Sequence, residues 1–231
     1  MYADAVAKIT ESIFPIFFNQ WDGDHCEVGV RGTGFFIDDS GLFLTADHVI
    51  AGAPPGSTLY YYGKVPDEVC EPAVEIECVA SDPAHDLYLG RVCRDALPGV
   101  EFSYEPVRPG ESVCLAGYPM PVLSINSEGH LVGSVRRYWQ PTFAIDTTQV
   151  VIGPRMYDGY IVQHACLVGM SGGPVFDVEG KVRGMAAATV SRTVPDPSGS
   201  LTVLPNGVVI DVEHVQGMLH AAMTAAGTSD A

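Results

Sequence analysis

Apolar residues recur along this chain in short runs that are separated by clusters of glycine, proline, aspartate and serine. Such runs, with turn residues between them, are typical of the strands of an all-β barrel or sandwich. The pattern therefore predicts an all-β fold. The predicted strands cover residues 12–18, 29–38, 42–45, 59–62, 74–80, 87–92, 112–117, 130–138, 143–152, 160–168, 174–177, 181–190 and 207–210.

Three segments depart from this pattern and are predicted to be helical. An amphipathic helix is expected over residues 3–11, and a single helical turn over 46–51, which Gly52 stops. The longest helix is expected over 212–225, with Asp211 as its N-cap. Because neither a repeat nor a low-complexity linker divides the 231 residues, we expect one domain.

Composition and charge narrow the range of partners. Hydrophobic residues make up 47% of the chain and charged residues 17%, a balance that predicts a folded globular protein. The formal net charge of −16 repels phosphate groups, so we expect no nucleic-acid and no membrane partner. No apolar run approaches the ~20 residues of a membrane-spanning helix. The N-terminus lacks the basic start and apolar core of a secretion signal, so we expect a cytoplasmic protein.

The cysteines give little support for a metal site. They form neither a CxxC pair nor a Cys/His cluster with metal-ligand spacing, so we expect no metal and no other cofactor. Three of them lie in predicted strands, which favours buried free thiols over disulfides. The six are Cys26, Cys70, Cys78, Cys93, Cys114 and Cys166.

The first candidate for chemistry is the Gly-Met-Ser-Gly-Gly-Pro segment over residues 169–174. Glycines on both sides of Ser171 let the backbone turn sharply and approach other groups closely. A serine in such a turn can present its hydroxyl while nearby backbone N–H groups point at the atom that it attacks. A simple hairpin between two strands explains the same pattern, so the interpretation depends on finding a base and an acid elsewhere.

A candidate base and a candidate acid occur next to two predicted strands. His48 follows the strand over 42–45, at a junction that gives an imidazole both a fixed position and access to solvent. Taken alone, His48 is better explained as a surface or cap histidine. Asp86 directly precedes the apolar strand over 87–92, where a carboxylate at the edge of the core needs a hydrogen-bond donor. His85 and Asp82 are rivals in the same segment, and we favour Asp86 because of its position.

Four segments in this order resemble the chymotrypsin-like serine proteases, and in particular their HtrA/Deg-like branch. They are Gly32-Thr33-Gly34-Phe35, Leu44-Thr45-Ala46-Asp47-His48-Val49, Asp86-Leu87-Tyr88-Leu89 and Gly169-Met170-Ser171-Gly172-Gly173-Pro174. The resemblance implies two antiparallel six-stranded β-barrels with an active site between them and a C-terminal α-helix. The implied parts of this single protease domain are an N-terminal barrel over about 12–108, a C-terminal barrel over about 109–210 and a helix over about 211–226.

The resemblance also implies roles for individual residues. Ser171 would be the nucleophile, His48 the general base and Asp86 the residue that orients the base. The backbone N–H groups of Gly169 and Ser171 would form the oxyanion hole. These roles agree with the chemistry, because serine is a poor nucleophile until a base takes its proton and a buried carboxylate stabilises the imidazolium that forms.

Two positions depart from the secreted members of the family. Val49 stands where those members carry a disulfide-bonded cysteine after the histidine, and Met170 stands where they carry an aspartate before the serine. Met170 cannot pair with a new N-terminus, so we expect no activation by N-terminal trimming. The chain after Asp211 has room only for a helix, so we also expect no PDZ domain of the kind that HtrA proteases usually carry.

The resemblance places the substrate pocket between the segment before the serine and a later strand. Small, uncharged residues there predict a modest apolar pocket and cleavage after small or medium aliphatic residues. His164 would favour an acidic residue if its ring pointed into the pocket, but such a histidine more often faces away. The predicted pocket residues are His164, Ala165, Cys166, Ala186, Ala187 and Ala188.

Three functions are compatible with these residues. The favoured one is a serine endopeptidase that acts on proteins or peptides through an acyl-enzyme intermediate. The second is a catalytically silent relative that uses the barrels to bind protein, although such relatives usually lose a residue of the triad. The third is a latent protease that a regulatory protein partner activates.

Overall fold

The computed structural model describes residues 2–22, 25–61, 74–94, 97–125, 131–195 and 201–227. Its strands form two closed six-stranded antiparallel barrels, and a C-terminal helix follows them, so the predicted fold is confirmed. The elements are α1 (Ala3–Ile9), a 3-10 turn (Thr10–Ser12), β1 (Ile13–Asp22), β2 (His25–Phe36), β3 (Leu42–Ala46), α2 (Asp47–Ala51), β4 (Thr58–Tyr61), β5 (Val74–Asp82), β6 (Leu87–Val92), β7 (Ser112–Gly117), β8 (Val122–Ile125), β9 (Leu131–Ser134), β10 (Tyr138–Ile152), β11 (Arg155–Val162), β12 (Pro174–Phe176), β13 (Val182–Pro195), β14 (Leu201–Asp211) and α3 (Val212–Gly227).

The two barrels share one strand order. The first runs β1-β2-β3-β6-β5-β4 and closes through the pairing of β4 with β1. The second runs β7-β10-β11-β14-β13-β12 and closes through the pairing of β12 with β7. In the first barrel β3 therefore pairs with β6, which brings together chain segments that are far apart in sequence. This pairing positions the candidate site.

Several boundaries differ from the prediction. The strand expected over 160–168 begins earlier and ends at Val162, because the polar start of β11 is held by pairing with β10. Residues 163–168 are thereby free to form the loop before Ser171. The hairpin of β8 and β9 was only partly expected, and β13 and β14 extend further than predicted as a long ribbon. Tyr62 and His130, the outer ends of two predicted strands, lie outside the described residues.

Aromatic side chains fill the first barrel. Phe14 lies at the centre of a buried cluster, with ring-centroid distances of 4.5 Å to Phe36, 5.2 Å to Phe43 and 5.0 Å to Tyr61. Aromatic pairs at these distances are favourable beyond the apolar area that they bury. The cluster makes this barrel a rigid support for the segments at its rim.

The helices close the ends of the molecule. α1 buries Ala5 and Ile9, and the hydroxyl of Tyr2, just before it, lies 2.8 Å from the Ser112 hydroxyl of β7. α3 begins as predicted, because the Asp211 carboxylate accepts the Glu213 N–H at 3.1 Å. Within the described part of the chain, none of the helices has the length and apolar character needed to cross a bilayer.

Cys78, Cys93, Cys114 and Cys166 are free thiols, but they are not all buried. Cys114 is buried and Cys166 half-buried, whereas Cys78 and Cys93 are exposed. The expectation of a buried Cys78 was therefore wrong. β5 carries a bulge between Cys78 and Ala80, which interrupts the alternation of inward and outward side chains and leaves Cys78 in solvent.

Candidate active site

The register of β3 and β6 brings His48 and Asp86 together. Ala46, at the end of β3, pairs with Leu87, at the start of the antiparallel strand β6. The residues that follow Ala46 therefore lie beside the residue that precedes Leu87. The His48 N–H donates to Asp86 Oδ1 at 2.9 Å, and His48 Nδ1 lies 2.7 Å from Asp86 Oδ2. Two hydrogen bonds to one carboxylate fix the position of the imidazole, and its side chain remains 31% exposed for a substrate to reach.

Asp86 is a buried carboxylate in an unusual backbone conformation. Its side chain is 0% exposed, and its φ of 60° lies in the left-handed region, which aspartate tolerates better than most residues. A buried carboxylate is costly unless hydrogen bonds and opposite charges compensate for its lost hydration. Strained backbone of this kind is concentrated at functional sites.

Two residues of the second barrel complete the surroundings of Asp86, and no sequence pattern predicted either of them. The Tyr157 hydroxyl donates to Asp86 Oδ2 at 3.2 Å, and Arg155 Nε lies 3.3 Å from Asp86 Oδ1. Burial and the charge of Asp86 raise the pKa of Tyr157 to about 12, so its hydroxyl stays protonated and can donate. Both residues lie in β11, which only the tertiary fold brings next to Asp86.

Ser171 lies in a tight turn that packs against the first barrel. Gly169 and Gly172, on either side of it, have φ values of 96° and 83°, which favour glycine. A Cβ atom on Gly172 would overlap the Thr45 hydroxyl, and one on Gly169 would overlap the carbonyl oxygen of Tyr118. The Thr33 N–H donates to the Ser171 carbonyl at 2.9 Å, so the turn is fixed against β2 and β3.

Some backbone N–H groups of this turn donate hydrogen bonds to backbone carbonyl groups, and others do not. Met170 N–H donates to Leu167, Gly172 N–H to Ala186, and Gly173 N–H to Met170. Within the described ranges, the N–H groups of Gly169 and Ser171 have no acceptor. Two unpaired donors in one turn are the arrangement that an oxyanion hole requires.

The hydroxyl of Ser171 makes a different contact from the one that catalysis needs. It donates to the Ala187 carbonyl at 3.1 Å. Among the described residues, no hydrogen bond joins Ser171 to His48. A rotation about the Cα–Cβ bond of the serine would release its hydroxyl from Ala187, and such catalytic hydrogen bonds often form only when substrate is bound.

The side chain of Met170 is buried in the core of the second barrel. A methionine there packs as an apolar group and offers no charge to a partner.

The predicted pocket residues divide into two sets. Ala165, Cys166 and Ala188 are half-buried, while Ala186 and Ala187 are buried, Ala186 in the core of the second barrel. The exposed ring of His164 lies outside this wall, with Nδ1 3.2 Å from the Pro141 carbonyl oxygen.

Two further residues adjoin the pocket wall and were not predicted. The Thr189 hydroxyl donates to the Cys166 carbonyl at 2.8 Å, and a Cβ on Gly207 would lie 3.0 Å from Cys166 Sγ. Burial raises the pKa of the Cys166 thiol to about 12, so it is a neutral, apolar part of this wall. A glycine after a turn-rich loop and a threonine directly after the alanines carry no specific sequence signal.

The rival pair forms a separate contact. His85 Nδ1 lies 2.7 Å from Asp82 Oδ2, and the His85 ring stacks on His214 of α3 at a centroid distance of 5.5 Å. The structure therefore joins Asp82 to His85 and Asp86 to His48. Across the described ranges, no three histidine, cysteine, aspartate or glutamate side chains are grouped so that they could hold a metal ion.

Comparison with known proteins gives the family. The family model of the trypsin-like peptidase domain matches residues 32–185, a range that contains His48, Asp86 and Ser171. The chain belongs to the trypsin-like peptidase domain family. The chain is 27% identical over 168 residues to the serine protease Rv3671c of Mycobacterium tuberculosis, a match that covers 69% of the chain and 36% of that protein.

Other relatives point to the same branch. A "Probable periplasmic serine endoprotease DegP-like" of Bartonella henselae is 29% identical over 175 residues, which cover 73% of the chain and 29% of that protein. The chain thus spans about a third of the length of these curated relatives.

Solved structures share the fold. The HtrA-type protease AlgW, in complex with a decapeptide, has a TM-score of 0.70 at 17% identity, over 97% of this chain and 68% of that one. The active form of the Rv3671c protease from M. tuberculosis has a TM-score of 0.62 at 23% identity, over 94% of this chain and 82% of that one. The resemblance inferred from the four sequence segments is therefore confirmed at the level of family and fold.

Proposed function

We propose that this chain is a serine endopeptidase, with Ser171 as nucleophile, His48 as general base and Asp86 as the residue that orients the base. The observation that carries the proposal is the pairing of His48 with a fully buried carboxylate at 2.7 Å. The turn that carries Ser171 is held against the same two strands, β2 and β3, next to which His48 lies. The family and its serine protease members support the same reaction class.

The proposed reaction needs no cofactor. Ser171 Oγ attacks the carbonyl carbon of the scissile peptide, and its proton moves to His48 Nε2. The N–H groups of Gly169 and Ser171 stabilise the negative oxygen that develops, and Asp86 stabilises the imidazolium. The C–N bond then breaks, His48 returns the proton to the leaving amine, and an ester on Ser171 remains. Water, deprotonated by His48, attacks this ester; the bond between the acyl carbon and Ser171 Oγ breaks, His48 returns the proton to Ser171 Oγ, and the acid is released.

For specificity we propose cleavage after small or medium aliphatic residues. Half-buried Ala165 and Ala188 and the neutral thiol of Cys166 offer no charge to a substrate side chain. The ring of His164 bonds to Pro141 instead of facing this wall, which weakens the case for an acidic preference. A peptide library should show alanine or valine before the cleaved bond, and a profile dominated by glutamate or aspartate would contradict the proposal.

A latent protease is the second candidate, and one observation favours it. The Ser171 hydroxyl donates to the Ala187 carbonyl instead of to His48. If a regulatory protein partner is needed to reorient this hydroxyl, activity will appear only in the presence of that partner. The cytoplasmic location stays a prediction of the sequence.

A fluorophosphonate probe tests both candidates. We expect the wild type to be labelled, and Ser171→Ala and His48→Ala to lose labelling. Ser191→Ala, a change at an exposed serine of β13, is the matched control and should label like the wild type. Labelling only after addition of cell extract would indicate the latent form. A wild type that is labelled under neither condition would leave only the silent binding protein.

A further inference from the structure

The hairpin of β10 and β11 extends from the second barrel onto the segment that carries Asp86. Ile152 pairs with Arg155 across a two-residue turn, in which Gly153 has a φ of 62°. The Met156 N–H then donates to the Ala84 carbonyl at 3.1 Å. Three consecutive residues of β11 therefore contact the segment over 84–86, and the hairpin is fixed there rather than extended into solvent.

This hairpin places the cationic side chain of Arg155 next to Asp86. Its Nε lies 3.3 Å from Asp86 Oδ1, and its Nη2 lies 3.9 Å from Asp47 Oδ2. The side chain is 28% exposed, so the guanidinium is largely shielded from water. The Nε–H makes no hydrogen bond among the described residues, which shows that Arg155 acts on Asp86 through its charge.

Among the described residues, no anion lies closer to the Arg155 guanidinium than Asp86. His48 and Tyr157 are the hydrogen-bonding side chains, and both donate to the carboxylate. Asp47 is the second carboxylate near Arg155, but it also accepts the Ser81 hydroxyl at 2.7 Å and lies at the longer distance from the guanidinium. Asp86 therefore shares its negative charge between the imidazole of His48 and a permanent cation.

This sharing has a direct consequence for the base. A carboxylate beside an imidazole stabilises the protonated ring, and a cation on the far side of the carboxylate opposes that stabilisation. In a variant without Arg155, Asp86 would stabilise the protonated ring unopposed, so the ring should accept its proton at a higher pH than it does with Arg155 present.

We propose that Arg155 is a positioning residue for the triad, which acts through Asp86 to set the pH range over which His48 can serve as the base. This inference rests on the proposed function. It assigns to one residue of the β10–β11 hairpin an effect on chemistry that takes place at Ser171, with which it has no contact.

The test measures the protonation of His48 itself. The ring is followed by NMR as the pH is varied in the full chain, and its signal is assigned by its loss in His48→Gln. In Arg155→Gln we expect the titration midpoint to rise by about one pH unit, the effect of one charge a few ångströms away in a partly shielded site. Arg155→Lys, which keeps the charge, should retain the wild-type midpoint, and Arg155→Met, which keeps the aliphatic stem, should behave like Arg155→Gln.

The matched control removes an arginine elsewhere. Arg192 lies 3.8 Å from Asp146, and both side chains are about half exposed, so Arg192→Gln changes the net charge by the same amount without touching the site. It should leave the midpoint unchanged. The proposal is overturned if folded Arg155→Gln or Arg155→Met keeps the wild-type midpoint, or if Arg192→Gln shifts it equally.

A second readout separates this inference from the proposed function. The acid limb of the fluorophosphonate labelling rate should move to higher pH in Arg155→Gln, in step with the NMR midpoint. If the wild type is never labelled, the proposed endopeptidase is wrong, and the NMR titration still decides whether Arg155 acts on His48. If the wild type is labelled and neither readout moves, only the role of Arg155 is wrong.

Discussion

The buried hydroxyl of Thr33, in the first barrel, donates a 2.7 Å hydrogen bond to the carbonyl oxygen of Gly169, in the second. The same hydroxyl accepts the Tyr118 N–H at 3.1 Å. One side chain therefore fixes the peptide group that follows the proposed oxyanion donor Gly169. This hydrogen bond joins the two barrels next to Ser171, where the proposed chemistry needs the backbone to stay in a fixed position.

Loss of this hydroxyl should be costly in both stability and labelling. Thr33→Val keeps the shape of the side chain but leaves the Gly169 carbonyl and the Tyr118 N–H without their partner in a buried site. We expect urea unfolding to show a loss of roughly 2–4 kcal/mol, together with slower fluorophosphonate labelling of Ser171. Thr33→Ser keeps the hydroxyl and should lose only about 1 kcal/mol for the missing methyl group. Equal losses in the two variants would argue against the hydrogen bonds.

Gly169 and Gly110 form a matched pair for testing the oxyanion hole. Both have a strongly positive φ, 96° and 92°, but a Cβ on Gly169 would overlap the Tyr118 carbonyl oxygen while one on Gly110 would meet open space. Gly169→Ala should displace the proposed donor and reduce the labelling rate by on the order of 10²-fold. Gly110→Ala carries the backbone strain alone and should label at the wild-type rate.

The two aspartate–histidine pairs should respond differently to the same change. Asp86→Asn should abolish labelling, since an uncharged amide cannot stabilise protonated His48. Asp82→Asn should leave the labelling rate unchanged, because Asp82 pairs with His85 instead. A loss of labelling in Asp82→Asn would mean that the rival pair contributes to the site.

Asp82 should instead affect stability as a function of pH. Burial alone would raise the pKa of its carboxyl, but the hydrogen bonds and charge of His85 outweigh burial and hold the pKa below its ordinary value of 3.8. A pKa that is lowered by folding stabilises the protein above the ordinary value, and the contribution fades as the pH falls through the lowered one. Because the side chain is 40% exposed, we expect Asp82→Asn to lose at most about 0.5 kcal/mol at about pH 5 and less than that at about pH 2. Urea titrations at both pH values measure the difference.

Cysteine alkylation should report the pocket wall. Burial raises the pKa of both Cys114 and Cys166 to about 12, so neither forms the reactive thiolate at about pH 8. Site-resolved mass spectrometry after iodoacetamide treatment should find exposed Cys78 modified and these two protected, and all three modified in guanidinium chloride. If Cys166 in the native protein were modified as fast as Cys78, the reagent would have to reach the bottom of the predicted pocket.

The periodic apolar runs determined the fold class, because a barrel strand must place apolar residues against a core and turn residues between strands. β6 and β7 begin and end as predicted, since apolar residues dominate both. The start of β11 was missed because Arg155 and Asp158 have no apolar pattern and are held in the strand by pairing with β10. The outward turn of Cys78 was missed because a bulge leaves no mark in composition.

The sequence by itself determined the family and the candidates Ser171, His48 and Asp86, because glycine-flanked serine turns and residues at strand ends leave local patterns. Only the tertiary structure decided what surrounds them. Tyr157 lies 71 residues from Asp86 in the chain. Its hydroxyl reaches the carboxylate because the β10–β11 hairpin of the second barrel packs against the first barrel. The Thr33–Gly169 bond likewise spans 136 residues. Contacts of this kind depend on how two barrels pack, and no local sequence pattern encodes that packing.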